Sequence, residues 1–212
     1  MNNENQLVLN VNAVPTTGRM DFNGPVQNVN PNASTVNTTN FFIQSSSNNT
    51  PTTLLPQNNE YYHLFVMGIE PFPRAGYYHF NVAADSALTR YISDDTKEKF
   101  QHITNDVIPV LKTFPALFMQ ENKGDDYGKA APEQYISKGV ITNISVTDNG
   151  IRIDCFLMGA FPQQLINQYS DEFSIVTRGA TKRYSEINNT HWTIKRMNLD
   201  LIMQECGIIL SV

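Results

Sequence analysis

The chain has 212 residues, of which 41% are hydrophobic, and a net charge of −5. This length and hydrophobic content suit one domain with a buried core plus an extension, and the weakly acidic charge argues against general attraction to nucleic acid or anionic lipid. Charged residues make up only 17% of the chain, below the usual level of about 25%, because Asn, Gln, Ser and Thr supply most of the polarity.

No stretch approaches the roughly 20 apolar residues that cross a bilayer. The first residues also lack the basic and apolar regions of a signal peptide. We therefore expect a cytoplasmic protein with no membrane partner. Cys155 and Cys206 lie far apart in apolar surroundings, so we expect two buried free thiols rather than a disulfide.

Residues 1–59 differ in composition from the rest of the chain, with three charged residues against fifteen asparagines. Such polarity is typical of disordered tails, although 7–14 and 41–43 have the composition of strands. We predict an Asn/Thr-rich extended arm over 1–59 that lies on the main body or on a neighbouring subunit. An α+β globular domain is predicted to follow over 60–212.

The first elements of this domain are predicted from aromatic and periodic residues. Branched and aromatic side chains predict a strand over 61–67 and a return strand over 77–82 that pairs with it. A capping box at Asp95 and Glu98, with Ser93 and Asp94 as alternative caps, then begins a helix that extends to about residue 114. Pro109 is expected to kink this helix or to divide it in two.

A hairpin is the clearest element of the sequence. It follows a short strand at 116–119 and an exposed loop at 121–134. Asn149-Gly150 is typical of a type I′ turn, and that turn would pair Val146 with Ile153 and Ile144 with Cys155. The alternation of apolar and polar residues agrees with this register, so these four side chains are expected to enter one core.

The last third of the domain is predicted to hold two more helices. Pro162 is suited to the first position of one helix, and Asn198 and Gly207 are suited to cap the other. Residues 184–194 are irregular or a strand, and 208–210 form a last strand. With about seven to nine strands, the class is α+β, a mostly antiparallel small barrel or sandwich with about three helices.

The residue patterns contain no catalytic or metal-binding signature. The four histidines lack metal-ligand spacing, no Gly-x-Ser-x-Gly motif is present, and neither cysteine has a neighbouring base in the sequence. Asp125 and Asp126 supply too few oxygen ligands for calcium. We therefore predict no catalytic residue, no metal and no cofactor, although a site assembled only by the fold stays an alternative.

One locally basic run is interleaved with aromatic residues between 178 and 196. Guanidinium groups beside aromatic rings occur in nucleotide- and nucleic-acid-binding surfaces and in protein interfaces; an ordinary charged face with a core tryptophan is the third interpretation. We take the run as a candidate ligand- or partner-binding surface with an exposed tryptophan. Its residues are Arg178, Lys182, Arg183, Tyr184, His191, Trp192, Lys195 and Arg196.

Three segments in order resemble a small β-rich module of uncharacterised bacterial proteins, found beside effector domains of antiviral-defence type. They are Phe-Pro-Ala-Leu-Phe-Met at 114–119, Gly-Val-Ile-Thr-Asn-Ile at 139–144 with the Asp-Asn-Gly turn, and Glu-Ile-Asn-Asn-Thr-His-Trp-Thr-Ile-Lys at 186–195. The resemblance covers 114–203. It implies a recognition or adaptor role and no catalytic residue, although an Asn-rich arm takes the place of an effector domain.

These observations lead to three functional hypotheses. The first is a non-enzymatic binding or adaptor module for a protein or a nucleotide, in bacterial antiviral defence if the resemblance holds. The second is a structural or virion-type assembly protein that uses the arm for subunit contacts. The third is an enzyme with a dispersed site. A protein partner or a homo-oligomer is expected, with a nucleotide or nucleic acid as the alternative.

Overall fold

The computed structural model describes residues 58–68, 71–124, 129–179 and 184–211. Eight strands, four α-helices and two 3-10 turns lie in these ranges. In chain order they are β1 (Tyr62–Met67), β2 (Ala75–Val82), a 3-10 turn (Ala84–Ser86), α1 (Asp94–Phe100), α2 (Ile108–Leu111), β3 (Pro115–Gln120), β4 (Tyr135–Thr147), β5 (Gly150–Pro162), α3 (Gln164–Gln168), β6 (Thr177–Arg178), β7 (Tyr184–Ser185), a second 3-10 turn (Glu186–Asn188), β8 (His191–Lys195) and α4 (Leu199–Glu205).

Six of the strands form one mixed sheet in the order β2-β5-β4-β3-β1-β8, and β6 pairs with β7 in a separate two-stranded ribbon. β1 and β3 are parallel, and all other pairs are antiparallel. Every residue of β1 and β3 is buried. Parallel strands commonly read as continuous apolar runs because both of their faces are covered, and these two follow that rule.

The sheet separates two apolar clusters. Phe65 and Phe118 point into the first cluster, together with Phe100 at the end of α1 and Leu111 of α2. The neighbouring residues of β1 and β3 point the other way, into a second cluster that includes residues of α3 and α4. Because side chains alternate along a strand, β1 and β3 supply both clusters at once and form the centre of the fold.

The α+β class is confirmed, but the predicted barrel or sandwich is wrong for the described residues. β2 and β8 are the two ends of the six-stranded order and do not pair with each other. The predicted pairing of the first two strands is also wrong, because β2 pairs with β5 at the far end of the sheet. β1 instead pairs with β3 and β8, strands that lie far from it in the sequence.

The hairpin forms between β4 and β5, but its register differs from the predicted one. Val146 pairs with Ile151 and Ile144 with Ile153, a shift of two residues that leaves each side chain on its predicted face of the sheet. A type I′ turn needs positive φ at both central residues, whereas Gly150 has φ +123° and Asn149 is not among the residues with positive φ. The two-residue loop is therefore Asp148-Asn149.

An irregularity in β4 decides which of its residues reach the core. The register shifts between Ile141 and Asn143, so Thr142 is an extra residue of the kind that forms a β-bulge. Ile141 and Ile144 are consequently both buried although they are three residues apart. Val146 lies beyond the core and is 63% exposed, so the prediction that it is buried is wrong.

The helix predictions hold in part. The long helix divides in two, but the break lies over 101–107 and Pro109 is in the first turn of the second helix. Ser93 rather than Asp95 is the cap of the first helix, since its side chain accepts a hydrogen bond from the Thr96 amide. Asn198 caps α4 as predicted. Pro162 instead ends β5, and no strand forms over 208–210.

The predicted arm, 1–59, lies outside the described residues apart from its last two positions. No helix within the described ranges is long and apolar enough to cross a membrane. Both cysteines are free thiols, with Cys155 buried and Cys206 half-buried.

Candidate functional site

The alternation of side chains along β8 divides the predicted basic surface. Trp192 and Ile194 point into the first apolar cluster. The alternate residues of β8 point to the opposite face of the sheet. Trp192 is 0% exposed and stacks on Phe65 with ring centroids 5.2 Å apart. The prediction of an exposed tryptophan is therefore wrong, and the interpretation of Trp192 as a core residue is confirmed.

Trp192 is held in the core by a chain of hydrogen bonds through a buried histidine. Its indole Nε1 donates to Nδ1 of His63 at 3.1 Å, and Nε2 of His63 donates to the Leu111 carbonyl at 2.9 Å. In the neutral ring Nδ1 accepts and Nε2 donates, so both ring nitrogens of His63 are hydrogen-bonded. Burial lowers the pKa of His63 to about 4, against the smaller opposing effect of the bond to Leu111, so His63 has a structural role.

The basic residues of β8 face a buried carboxylate. Lys195 Nζ lies 2.8 Å from Oε1 and 2.9 Å from Oε2 of Glu186. Glu186 Oε1 also accepts a bond from the Val176 amide at 3.2 Å. Burial raises the pKa of Glu186 and lowers the pKa of Lys195, and the contact between the two groups opposes both changes. Lys195 is therefore part of a buried ion pair and does not lie on an open surface.

Lys195 also anchors a loop on this side of the sheet. Its ammonium donates to the Tyr91 carbonyl at 3.1 Å, and the Thr193 hydroxyl donates to the same oxygen at 3.0 Å. Tyr91 has φ +57°, a left-handed conformation that is uncommon for an aromatic residue and costs on the order of 1 kcal/mol. These two hydrogen bonds stabilise that conformation and position the Tyr91 ring.

His191 lies beneath the Tyr91 ring and beside Glu186. Its ring packs edge-on to Tyr91 with centroids 4.8 Å apart, and its Nδ1 lies 2.8 Å from the Asn189 carbonyl. A carbonyl only accepts, so Nδ1 carries the proton. Burial lowers the pKa of His191 to about 4, against the hydrogen bond to the Asn189 carbonyl and with smaller contributions in the same direction from the charges of Lys195 and Arg90. His191 is therefore neutral at pH 7.

A surface cavity of about 450 Å³ lies over this arrangement. This volume falls in the range of about 300–1,000 Å³ that is typical of small-molecule sites. We call it the Glu186 pocket. The residues that line it are Tyr91, Val176, Arg178, Tyr184, Ser185, Glu186 and Asn189.

Arg178 and Tyr184 form one wall of the Glu186 pocket. They are cross-strand neighbours in the β6–β7 ribbon, a relation that places Cβ atoms about 4.5–5.5 Å apart. Both side chains are exposed, Tyr184 by 62%. No ion pair of Arg178 occurs within the part of the chain that the structure describes. A guanidinium group and an aromatic ring thus lie side by side at the opening of the pocket.

The remaining predicted site residues lie elsewhere or outside the described ranges. Arg196 is exposed and its Nε pairs with Glu60 at 2.9 Å, and it does not line the pocket. Lys182 and Arg183 lie outside the described residues. The sequence interpretation overlooked Tyr91, which local patterns did not mark, and gave Glu186 no role in the site. The position of Glu186 as the one acidic residue within a basic run is the sequence feature that could have indicated its ion pair with Lys195.

Among the residues that the structure describes, the other titratable groups form no comparable site. In the described ranges no three His, Cys, Asp or Glu side chains are grouped as metal ligands. Cys155 is buried, and burial raises the pKa of its thiol to about 12, which disfavours the reactive thiolate.

The chain matches no family model, no curated protein and no solved structure. The resemblance over 114–203 therefore stays a prediction.

Proposed function

We propose that the chain is a non-enzymatic binding module whose Glu186 pocket takes a small anionic ligand that carries a flat ring, of which nucleotides are the principal class. The observation that carries this proposal is the wall of the pocket, where Arg178 and Tyr184 lie next to each other at the opening. A recognition role agrees with the role that the sequence resemblance implies.

The charge of the pocket favours an anion. Glu186 is compensated by Lys195 at 2.8 Å, so the charge of Arg178 is the one that a ligand would meet. Arginine binds phosphate through two parallel N–H···O bonds, and a hydrogen bond to a charged group contributes about 1.5–3 kcal/mol.

The aromatic residues favour a ring. Tyr184 is exposed at the opening, and Tyr91 is held in place by the bonds from Lys195 and Thr193 to its carbonyl. Stacking of a base on an aromatic side chain contributes about 1–3 kcal/mol. A ring and a phosphate on one ligand would use both groups.

Binding is better supported than catalysis. Glu186 Oε1 accepts from Lys195 and the Val176 amide, and Oε2 accepts from Lys195. His191 Nε2 is buried. A general base must reach the proton that it removes, but His191 is buried and does not line the pocket, and both oxygens of Glu186 already accept hydrogen bonds. The hypothesis of an enzyme with a dispersed site stays a prediction without a supporting contact.

The test is binding of a panel of nucleoside monophosphates, measured by calorimetry on the full chain. Arg178→Ala should weaken binding at least about tenfold, and Tyr184→Ala at least about fivefold. Arg196→Ala and Tyr77→Ala are matched controls, since Arg196 belongs to the same basic run outside the pocket and Tyr77 is equally exposed at 64% on β2. Both controls should bind like the wild type.

The panel also separates the other hypotheses. Equal losses in Arg178→Ala and Arg196→Ala would contradict the pocket and favour a broad protein-binding surface. The assembly hypothesis depends on 1–59, and light scattering of the full chain beside a chain that begins at Glu60 tests it. Equal monomeric masses would refute it.

A further inference from the structure

A buried nitrogen beside the Glu186 pocket has no hydrogen-bond partner. His191 is 0% exposed, and its Nε2 is one of two buried side-chain polar atoms without a partner among the described residues. Because Nδ1 donates its proton to the Asn189 carbonyl, Nε2 of the neutral ring is a bare acceptor. Buried polar atoms are nearly always paired, so this one is a candidate for function.

The carboxylate of Glu186, a residue that lines the pocket, lies close to this nitrogen. His191 Nε2 and Glu186 Oε2 are 3.8 Å apart, longer than a hydrogen bond. Neither atom can donate in its present state, so no bond forms between them. A proton on Nε2 would turn this pair into a charge-assisted N–H···O contact, the strong class of hydrogen bond.

Two cations near His191 disfavour a proton on its Nε2 in the free protein. Lys195, four residues along on the same face of β8, and Arg90, next to Tyr91, both favour the neutral ring. The Tyr91 ring covers the imidazole. On β1, the Tyr62 hydroxyl donates to a backbone carbonyl, and burial raises its pKa, so it adds no charge. A negative charge in the pocket would offset the two cations.

We propose that His191 takes up a proton at Nε2 when an anion occupies the Glu186 pocket, so that ligand binding is coupled to proton uptake. This inference rests on the proposed function. The proton comes from solvent, the Nε2 lone pair forms the new N–H bond, and no other covalent bond changes. The imidazolium then donates to Glu186 Oε2, and Glu186 keeps its bonds from Lys195.

The coupling has a definite sign and size. An opposite charge within about 4–6 Å raises the pKa of a base by about 1–3 units. The free protein has His191 neutral above about pH 4, so the bound protein would titrate one or more units higher. A rise of one to two units should tighten binding about two- to tenfold between about pH 7.5 and pH 5, with uptake of a fraction of one proton at the lower pH.

The experiment is calorimetric binding of a cyclic nucleoside monophosphate to the full chain. Its phosphodiester keeps one charge across the range, so the ligand does not contribute a phosphate proton. Measurements at pH 5 in two buffers of different ionisation enthalpy count the protons taken up. The wild type should take up protons and bind more tightly at pH 5 than at pH 7.5. His191→Gln should lose both effects and keep its affinity at pH 7.5.

His79→Gln is the matched control, because His79 lies on β2 at the other end of the sheet, and it should behave like the wild type. Binding with equal pH dependence in wild type and His191→Gln would overturn the coupling while leaving the proposed function in place. No binding at either pH would instead contradict the proposed function. If His191→Gln does not fold, an NMR titration of the wild-type imidazole with and without ligand decides, and an unchanged pKa would overturn the coupling.

Discussion

Acid should destabilise the protein through two buried histidines. His63 and His191 each have a pKa lowered by burial to about 4 in the folded chain, against about 6.5 in the unfolded chain. Below pH 6.5 the unfolded chain binds these protons and the folded chain does not. The stability that the neutral rings contribute is therefore full above pH 6.5 and is lost as the pH falls towards 4.

The size of this effect follows from the two pKa differences. One unit corresponds to about 1.4 kcal/mol, so each histidine contributes roughly 3 kcal/mol over the whole window. At pH 5 the loss should be about 2 kcal/mol for each ring. Burial raises the pKa of Glu186, and a raised carboxyl pKa acts with the opposite sign, so comparison with a histidine variant is needed to isolate the two rings.

Urea denaturation at a series of pH values between about 7.5 and 4.5 measures this free energy. His63→Gln should reduce the slope of stability against pH by about 1.4 kcal/mol per unit, whatever its stability at pH 7.5. His102→Gln, which removes an exposed imidazole, should keep the wild-type slope. A His63→Gln slope equal to the wild-type slope would refute the assignment of His63 as a buried neutral ring.

Three further substitutions test the fold by the free energy of unfolding. Gly150→Ala should cost roughly 1–3 kcal/mol, because φ is +123° and a Cβ would lie 2.4 Å from a backbone oxygen. Asn149→Ala should cost under about 0.5 kcal/mol. Equal costs would contradict the Asp148-Asn149 loop and favour the predicted type I′ turn. Ile144→Ala should cost about 2–5 kcal/mol and exposed Val146→Ala under about 0.5 kcal/mol, and a reversed order would contradict the register. Lys195→Met should cost about 3–5 kcal/mol, since it leaves a buried carboxylate unpaired; a neutral effect would contradict the buried ion pair.

The sequence predicted elements better than it predicted their partners. Residues 61–67 and 116–119 are recognisable as strands from their own composition, and Asn198 as a cap from its own side chain. The pairing of β1 with β8 joins Phe65 to Trp192 across most of the domain. No local pattern encodes such a contact, and the prediction therefore joined neighbours in the sequence.

The hairpin was predicted correctly as an element, but its strand register was predicted incorrectly. The Asn-Gly dipeptide marks the turn, but it does not say which residue takes positive φ. Once Gly150 alone takes it, pairing moves by two residues and the apolar faces are kept. The bulge at Thr142 was hidden because it replaces alternation with a spacing of three between Ile141 and Ile144.

The candidate site was predicted as a run of residues adjacent in the sequence, but the fold separates some of them and brings others together from different elements. The period of β8 places Trp192 in the core and Lys195 on the opposite face, where it pairs with Glu186. Arg178 and Tyr184 are brought together by the β6–β7 ribbon, and the composition of these two short strands did not predict that ribbon. Tyr91 enters through hydrogen bonds to residues about a hundred positions away, and only the fold reveals such contacts.

The most direct test of the Glu186 pocket is an NMR titration of the full chain with a nucleoside monophosphate, followed through the backbone amides. The expected result is that the largest shifts occur at Tyr91, Val176, Arg178, Tyr184 and Asn189, and that Arg178→Ala weakens the response. Shifts that cluster on β2 instead, or none at ligand concentrations in the millimolar range, would contradict it.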